Sequence, residues 1–214
     1  TIDGDSNWKN ITDKSFGGSI GCVAVAPSDP TVLYVGEGEN SLRGNVSEGF
    51  GIWRTDDGGR SWRNLGLKDT RHIIRIVIHP KNPDVVWVAA MGHLFGPNEE
   101  RGIFKTTDGG KNWKKVLYVN NQTGCSDLVM EPGNPSVLYA GTWRILRTPY
   151  SMESGGEGSG LWKSIDGGET WKSITAAKGL PKGLWGIVGI AVSQSNGDKV
   201  YAIMENAAGG LYVS

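Results

Sequence analysis

Three glutamates, Glu39, Glu99 and Glu100, lie in long irregular segments of the sequence where a substrate would have access to them. Two carboxyl groups that flank a glycosidic bond can act as its acid and its base. Long loops carried by a rigid scaffold are where catalytic and binding residues concentrate. If this protein is an enzyme, these glutamates are its candidate catalytic residues.

The same segments carry cationic and aromatic side chains suited to binding. Arginine presents a planar pair of donors that matches a carboxylate or a sulfate. The candidate ligand-binding residues are Arg43, Arg71, His72, His93, Arg101, Arg144, Arg147 and Tyr150. The alternative is that neighbouring glutamates and arginines pair with each other and hold the loops in place. A two-histidine metal site lacks a third ligand, so we expect no metal and no cofactor.

A repeated motif indicates which elements position these residues. Residues 54–62 read RTDDGGRSW, residues 105–113 read KTTDGGKNW, and residues 163–171 read KSIDGGETW. A divergent copy, TIDGDSNW, occupies residues 1–8. Successive copies lie about 50 to 60 residues apart, and a period of that size indicates a repeat array.

Each repeat reads as four short strands. In the best-defined repeat, residues 73–79 and 85–90 are β-branched apolar runs joined by a turn rich in proline and asparagine. Residues 102–106 and 113–117 flank the Asp-Gly-Gly turn, whose glycines supply the positive φ that a hairpin needs. Four antiparallel strands repeated radially form the blade of a β-propeller. The sequence therefore predicts an all-β propeller with about four blades' worth of strands.

The chain divides into one propeller domain over residues 1–214. Residues 1–16 are expected to form the outer strand of a first blade, residues 17–66, 67–120 and 121–178 three full blades, and residues 179–214 three strands of a last blade. We expect this set to be part of a larger propeller, because the strand at residues 210–214 stops where a further Asp-Gly-Gly turn would begin. In the alternative, the Trp8 strand completes the last blade and closes a ring.

The residues of the repeated motif are expected to be structural. The Asp and Thr/Ser side chains can bond the turn's own backbone, whereas a calcium site would need more oxygen ligands than the turn offers. The structural set is Asp3, Trp8, Thr55, Asp57, Gly58, Gly59, Trp62, Thr106, Asp108, Gly109, Gly110, Trp113, Ser164, Asp166, Gly167, Gly168 and Trp171.

Composition narrows the function classes. The 22 Lys and Arg balance the 22 Asp and Glu, so neither a nucleic acid nor an acidic membrane surface is an expected partner. No apolar run reaches the length of a membrane span. Cys22 and Cys125 begin strands of non-adjacent blades and are expected to be free thiols.

The motif [Ser/Thr]-x-Asp-Gly-Gly-x-x-Trp resembles the Asp-box, or bacterial neuraminidase repeat, of sialidases, xyloglucan-cleaving enzymes, the sortilin ectodomain and photosystem assembly factors. Beyond the motif, residues 38–47, 67–72, 92–102 and 147–149 resemble the N-terminal propeller of large bacterial exported proteins labelled sortilin-like or glycosyl-hydrolase-like. That resemblance implies an extracellular or periplasmic location and further blades or domains as partners. It implies little about any catalytic activity.

Blade topology separates two faces. The Pro/Asn turns and the Asp-Gly-Gly turns share one face, and residues 36–51, 68–72, 91–102 and 142–160 lie on the other. We expect this loop-rich face to bind a glycan or a peptide. One alternative is a sialidase-like or xyloglucanase-like glycoside hydrolase, although the only aspartate in these loops is Asp69. The other is a structural scaffold.

Overall fold

The computed structural model describes residues 7–13, 15–16, 18–41 and 43–214. The chain is a β-propeller in which the described residues form sixteen strands in four antiparallel sheets. The strands are β1 Ile20–Ala26, β2 Asp29–Glu37, β3 Ile52–Thr55, β4 Arg63–Asn64, β5 Ile73–His79, β6 Asn82–Ala90, β7 Gly102–Thr106, β8 Lys114–Leu117, β9 Thr123–Glu131, β10 Asn134–Arg147, β11 Met152–Ser154, β12 Gly160–Ser164, β13 Lys172–Ser173, β14 Val188–Val192, β15 Val200–Met204 and β16 Gly210–Val213.

Within each sheet, neighbouring strands follow one another in the order of the chain. The first sheet has the order β1-β2-β3-β4, the second β5-β6-β7-β8, and the fourth β14-β15-β16. The third contains β9, β10, β12 and β13, with β11 paired to the end of β10. A short 3₁₀ turn, Lys68–Thr70, links the first sheet to the second.

Apolar clusters lie between successive sheets and hold them together. The strands supply β-branched and aromatic residues, which pack well on a pleated surface. The clusters include Ile52 and Ile73 between the first two sheets, Trp87 and Leu128 between the second and third, and Leu161 and Val188 between the third and fourth. Burying each such side chain stabilises the fold by about 1.5–3 kcal/mol.

Side-chain hydrogen bonds organise each Asp-Gly-Gly turn. In the second repeat, Thr106 Oγ1 accepts from Gly110 N at 3.0 Å and donates to Asp108 Oδ1 at 2.8 Å. Asp108 Oδ1 also accepts from Asn112 N at 3.0 Å. The same contacts recur in the first and third copies. Both glycines of the second turn have positive φ, 74° and 87°, which glycine adopts without steric cost.

These bonds stabilise the ionised form of the turn aspartates. The Asn112 amide, followed by its side chain, lowers the pKa of Asp108 to about 2. The hydroxyl groups of Ser61 and Thr170 make the largest contributions in the other two turns, where the pKa of the aspartate is also well below its ordinary value.

The hydrogen bonds place the Asp-Gly-Gly turns at the same end of the sheets as the β1–β2, β5–β6 and β9–β10 turns. Gly58 N donates to Thr31 O at 2.9 Å, and Gly167 N donates to Ser136 O at 2.8 Å. The second repeat makes the equivalent bond to Asp84 O at 3.0 Å. The long loops consequently emerge at the opposite end.

The interpretation of residues 142–160 as one irregular loop was wrong. Strand β10 runs on to Arg147 and pairs with β11, with Ile145 opposite Ser154. The extension is a strand because Trp143 and Ile145 bury their side chains in an apolar cluster. A hairpin therefore projects from the third sheet.

The first segment also differs from its expected form. Asp3 lies outside the described residues, and residues 7–13 and 15–16 contain no strand. Trp8, expected to pack structurally, is 81% exposed. Within the described residues β14, β15 and β16 form a sheet of three strands, so the Trp8 segment does not complete it.

Candidate functional site

The long loops meet over an apolar cluster at the end of the sheets opposite the Asp-Gly-Gly turns. We call this end the loop face and define it by residues 39–50, 67–72, 91–101 and 143–155. Its cluster contains Val46, Ile74, Met91, Leu94, Trp143 and Ile145. These residues come from three repeats, so the loops form a common packed layer.

Arg101 lies in the interior of this layer with no exposed surface. Its guanidinium donates to Gln122 O at 3.1 Å and to His93 O at 3.0 Å. Burial, together with the nearby charge of Arg144, lowers the pKa of Arg101 to about 10. The sequence predicted that Arg101 contacts a ligand directly. Its complete burial does not fit that role. The residue instead ties the 91–101 loop to the 120–123 turn.

His72 is likewise fully buried and holds loops together. Its Nδ1 lies 3.2 Å from Glu39 O, and its main chain bonds Met91 N at 2.9 Å. Burial lowers the pKa of His72, which favours the neutral imidazole. This position also disagrees with a direct role in ligand binding. His93 is half-buried and contributes its carbonyl oxygen to the Arg101 network.

The β10–β11 hairpin presents the most accessible of the candidate residues. Tyr150 at its tip is 96% exposed. Arg147 is half-buried; its Nη1 donates to Ser151 O at 2.7 Å, and its Nε is buried without a hydrogen-bond partner. Arg144 is paired with Glu153 at 2.9 Å and with Gln122 Oε1 at 3.2 Å.

The hairpin reaches the loop of the first repeat. A Cβ on Gly44 would lie 3.1 Å from Arg147 Nη2 and 3.2 Å from Pro149 O. Arg147 N donates to Leu94 O at 3.1 Å. The first-repeat loop therefore lies beside the Arg147 guanidinium, and the second-repeat loop holds the Arg147 main chain.

The candidate acid Glu39 is held as a carboxylate. Its Oε2 accepts from Ser47 N at 3.0 Å, and its Oε1 pairs with Arg43. The Ser47 amide is the largest cause that lowers the pKa of Glu39. Its neighbour Glu37, absent from our sequence candidates, is buried and accepts from Trp53 Nε1 at 2.8 Å.

The remaining candidates are dispersed. Glu99 is exposed, and its carbonyl oxygen contacts the Lys115 ammonium group. Glu100 is half-buried. Arg71 has φ of 55° and pairs with Glu48 at 3.5 Å. Arg71 therefore ties the 67–72 segment to the 39–50 loop, and Gly49 N donates to Arg71 O at 2.8 Å in the same contact.

A cavity beside the loop face was not predicted from the sequence. It is a cavity of about 470 Å³ lined by Asn40, Arg75, Ser126, Asp127 and Glu205, among others. Arg75 is paired with Asp127 at 3.0 Å, and Asp127 Oδ2 also accepts from a main-chain amide of β14 at 2.8 Å. A charged residue within each of the apolar runs 73–78 and 124–130 was the signal that could have revealed this pair.

The described residues contain no group of three His, Cys, Asp or Glu side chains placed to hold a metal ion. In the same part of the chain, no helix is both long and apolar enough to traverse a bilayer. Cys22 and Cys125 are free thiols, and burial raises the pKa of Cys22 to about 12.

Residues 50–210 match the Sortilin-Vps10 family model, described as "Sortilin, neurotensin receptor 3". The chain belongs to the Sortilin-Vps10 family. This membership agrees with the resemblance noted from the repeated motif and from the loops.

Two curated relatives of this Sortilin-Vps10 chain are named for different functions. A xyloglucanase of Paenibacillus sp. is 25% identical over 183 residues, covering 79% of this chain and 16% of the relative. The photosystem II assembly lipoprotein Ycf48 of Synechococcus sp. (strain CC9902) is 29% identical, covering 62% of this chain and 34% of the relative. The chain thus spans about a third or less of these relatives' lengths.

A solved structure supports the fold of this Sortilin-Vps10 chain. The ancestral GH74 enzyme AFV00434 superposes with a TM-score of 0.65 at 19% identity, covering 92% of this chain and 23% of that one. At this identity the likeness concerns the propeller fold alone.

Proposed function

We propose that this chain is a non-catalytic binding module whose loop face takes a ligand bearing a carboxylate group, either a glycan or a peptide. The observation that carries the proposal is the Arg147 guanidinium. Among the described residues it makes no ion pair, whereas Arg43, Arg71 and Arg144 each pair with a carboxylate. Its charge is thus left for a ligand.

The surroundings of Arg147 favour binding. The hydrogen bond from Nη1 to Ser151 O fixes one side of the guanidinium, and Arg147 offers planar donors to a carboxylate. Tyr150, almost fully exposed three residues away, supplies an aromatic ring with a polar tip. Such a ring gives contact area at low conformational cost.

Glu39 does not fit the role of the acid in a glycosidase. A glycosidase needs one carboxylic acid whose pKa is raised so that it can donate a proton. Among the described residues, the loop-face carboxyl with a clear shift is Glu39, and its pKa is lowered. Glu39 therefore suits an ion pair better than proton donation.

We place the module within a larger extracellular or periplasmic protein. This chain covers only a small part of the length of its relatives, which supports a role as one module of a larger protein. The family description names a receptor, and the Paenibacillus relative is named for a glycan-cleaving activity. Both kinds of ligand therefore belong in the test.

The experiment screens the chain against an array of acidic and neutral glycans and an array of acidic and neutral peptides. We expect saturable binding to acidic members of one array. Arg147→Ala should weaken that binding by about tenfold or more, the loss expected for a charge-assisted hydrogen bond. Tyr150→Ala should weaken it less.

Arg63→Ala is the matched control, because Arg63 pairs with Asp56 at the opposite end of the first sheet. It should bind as the parent chain does. Binding that survives both Arg147→Ala and Tyr150→Ala would contradict the proposed face. Release of reducing sugar from xyloglucan by the parent chain would instead support the hydrolase alternative.

A further inference from the structure

Glu205 lies where the connection between β15 and β16 meets the β10–β11 hairpin. Its Oε2 accepts from the Ser154 hydroxyl group, and it accepts from Ile187 N at 3.2 Å. The main chain is held as well, because Glu205 N donates to Ile187 O at 3.0 Å and Gly186 N donates to Glu205 O at 2.8 Å. A Cβ on Gly186 would lie 1.9 Å from Glu205 Oε2, so this close approach requires glycine. The Glu205 carboxylate is therefore fixed in place.

One oxygen of this carboxylate is left for a ligand. The Ser154 hydroxyl group accepts from Trp143 Nε1 at 2.9 Å and donates its single proton to Glu205 Oε2. Among the described residues, Glu205 makes no ion pair, whereas Glu153 on the same hairpin pairs with Arg144 at 2.9 Å. Glu205 is also exposed. Its Oε1 can thus accept from a cationic group that approaches from outside.

Two cavities meet at Glu205. The cavity of about 470 Å³ described above contains Arg75, whose charge disfavours a cation even though Asp127 pairs with it at 3.0 Å. The second cavity, of about 370 Å³, lies between the hairpin residue Ser154 and the exposed side chain of Leu184. No lysine, arginine or histidine among the described residues lines this second cavity. A cationic group therefore fits there, with Leu184 as an apolar surface for an alkyl chain.

Ser154, the hairpin residue that holds Glu205, shares a face of the hairpin with Arg147. Ile145 is opposite Ser154 and Arg147 is opposite Met152, so Arg147 and Ser154 are diagonal neighbours about 7–8 Å apart. An extended peptide places alternate residues about 7 Å apart on one side. A basic and an acidic residue two positions apart in a peptide therefore match Glu205 and Arg147.

We propose that the cavity of about 370 Å³ beside Glu205 binds a primary ammonium group of the ligand, from a lysine side chain or a peptide N-terminus. The ammonium group donates to Glu205 Oε1, and its alkyl chain lies along Leu184. This inference rests on the proposed function for the ligand's carboxylate at Arg147. It selects a peptide over a glycan, because a peptide readily carries an amine two residues from a carboxylate.

The test titrates the isotopically labelled chain with the acetylated and amidated peptide GKGDG and follows the amide chemical shifts. We expect saturable binding. Acetylation of the lysine should weaken binding about fivefold, as for an exposed ion pair. Glu205→Gln keeps an acceptor for Ser154 and should weaken binding of GKGDG by the same factor. The acetyllysine peptide should bind the Glu205→Gln variant and the parent chain equally.

A second peptide distinguishes the two sources of the ammonium group. Amidated GGDG has a free N-terminus as its only amine, two residues before the aspartate. Binding of GGDG that Glu205→Gln weakens would assign the cavity to a peptide N-terminus. Dependence on Glu205 for GKGDG alone would assign it to a lysine side chain.

Glu157→Gln is the matched control, because Glu157 is an exposed glutamate in the turn between β11 and β12 and lines neither cavity. It should leave binding of GKGDG unchanged. Equal binding of GKGDG and its acetyllysine form, or no binding at millimolar concentration, would overturn the proposal. The peptide GKGNG separates a failure of the proposed function: if it binds as GKGDG does while lysine acetylation still weakens binding, the ammonium site stands and the carboxylate site at Arg147 is contradicted.

Discussion

The hydroxyl group that opens each Asp-Gly-Gly turn bonds two groups of the turn at once. Thr106 is buried, and its Oγ1 joins Gly110 N to the Asp108 carboxylate. Thr106→Ala leaves the Gly110 amide without its acceptor, so it should lower the free energy of unfolding by about 1–2 kcal/mol. Thr106→Ser should retain most of the stability, because Ser164 makes the same bonds in the third repeat. Urea unfolding of the two variants tests this.

We expect His72 to make the loop face sensitive to acid. Its pKa is below the ordinary histidine value in the folded chain, chiefly because of burial. The unfolded chain therefore takes up this proton first as the pH falls through about 6.5. The contribution of His72 to the free energy of unfolding is therefore fully present above that pH and falls below it.

The measurement is hydrogen exchange of the loop-face amides between pH 7 and pH 5, corrected for the intrinsic rate. We expect their protection to fall over this range in the parent chain. His72→Gln should remove the part of this dependence that belongs to His72, whatever its effect on overall stability. Identical pH dependence in the two proteins would show that His72 does not control it.

At the scale of elements, the contact between the third Asp-Gly-Gly turn and the preceding sheet requires glycine. Gly168 has φ of 77°, and a Cβ there would lie 2.6 Å from Trp87 Nε1. Gly133 has φ of 80° but no heavy atom within 4 Å of such a Cβ. Gly133→Ala should cost about 1–2 kcal/mol from backbone strain alone, and Gly168→Ala should cost distinctly more. Equal losses of stability in thermal unfolding would contradict the close packing.

A buried arginine ties together loops of the loop face. Arg101 donates to carbonyl oxygens of two segments and has no exposed surface. Arg101→Met should lower the free energy of unfolding by about 2–3 kcal/mol, since charge-assisted hydrogen bonds are lost. Arg43→Ala removes an exposed ion pair and should cost less than about 1 kcal/mol. Chemical denaturation compares the two, and a smaller effect of Arg101→Met would contradict its anchoring role.

The repeated strands were predictable because their signal is local. Alternating apolar runs and glycine turns recur in the sequence, and the sheets and apolar interfaces follow from them. The β10–β11 hairpin was not predictable, because Trp143 and Ile145 become strand residues only by packing against loops of other repeats. Arg101 and His72 looked like surface residues for the same reason, since distant segments bury them.

At the scale of the whole molecule, the sheets pack in succession, each against its neighbours. In such arrays stability is nearly the sum of the units and their interfaces. The loop face adds a layer that joins three repeats, and this layer is the rigid platform for the proposed ligand site.

The most direct test maps the amide chemical shifts of the isotopically labelled chain as the tightest-binding member of the two arrays is added. We expect the perturbed amides to cluster at residues 43–49 and 145–154, and Arg147→Ala to abolish these shifts. Perturbations confined to the Asp-Gly-Gly turns at residues 56–62, 107–113 and 165–171 would contradict the proposed site and place binding at the opposite end of the sheets.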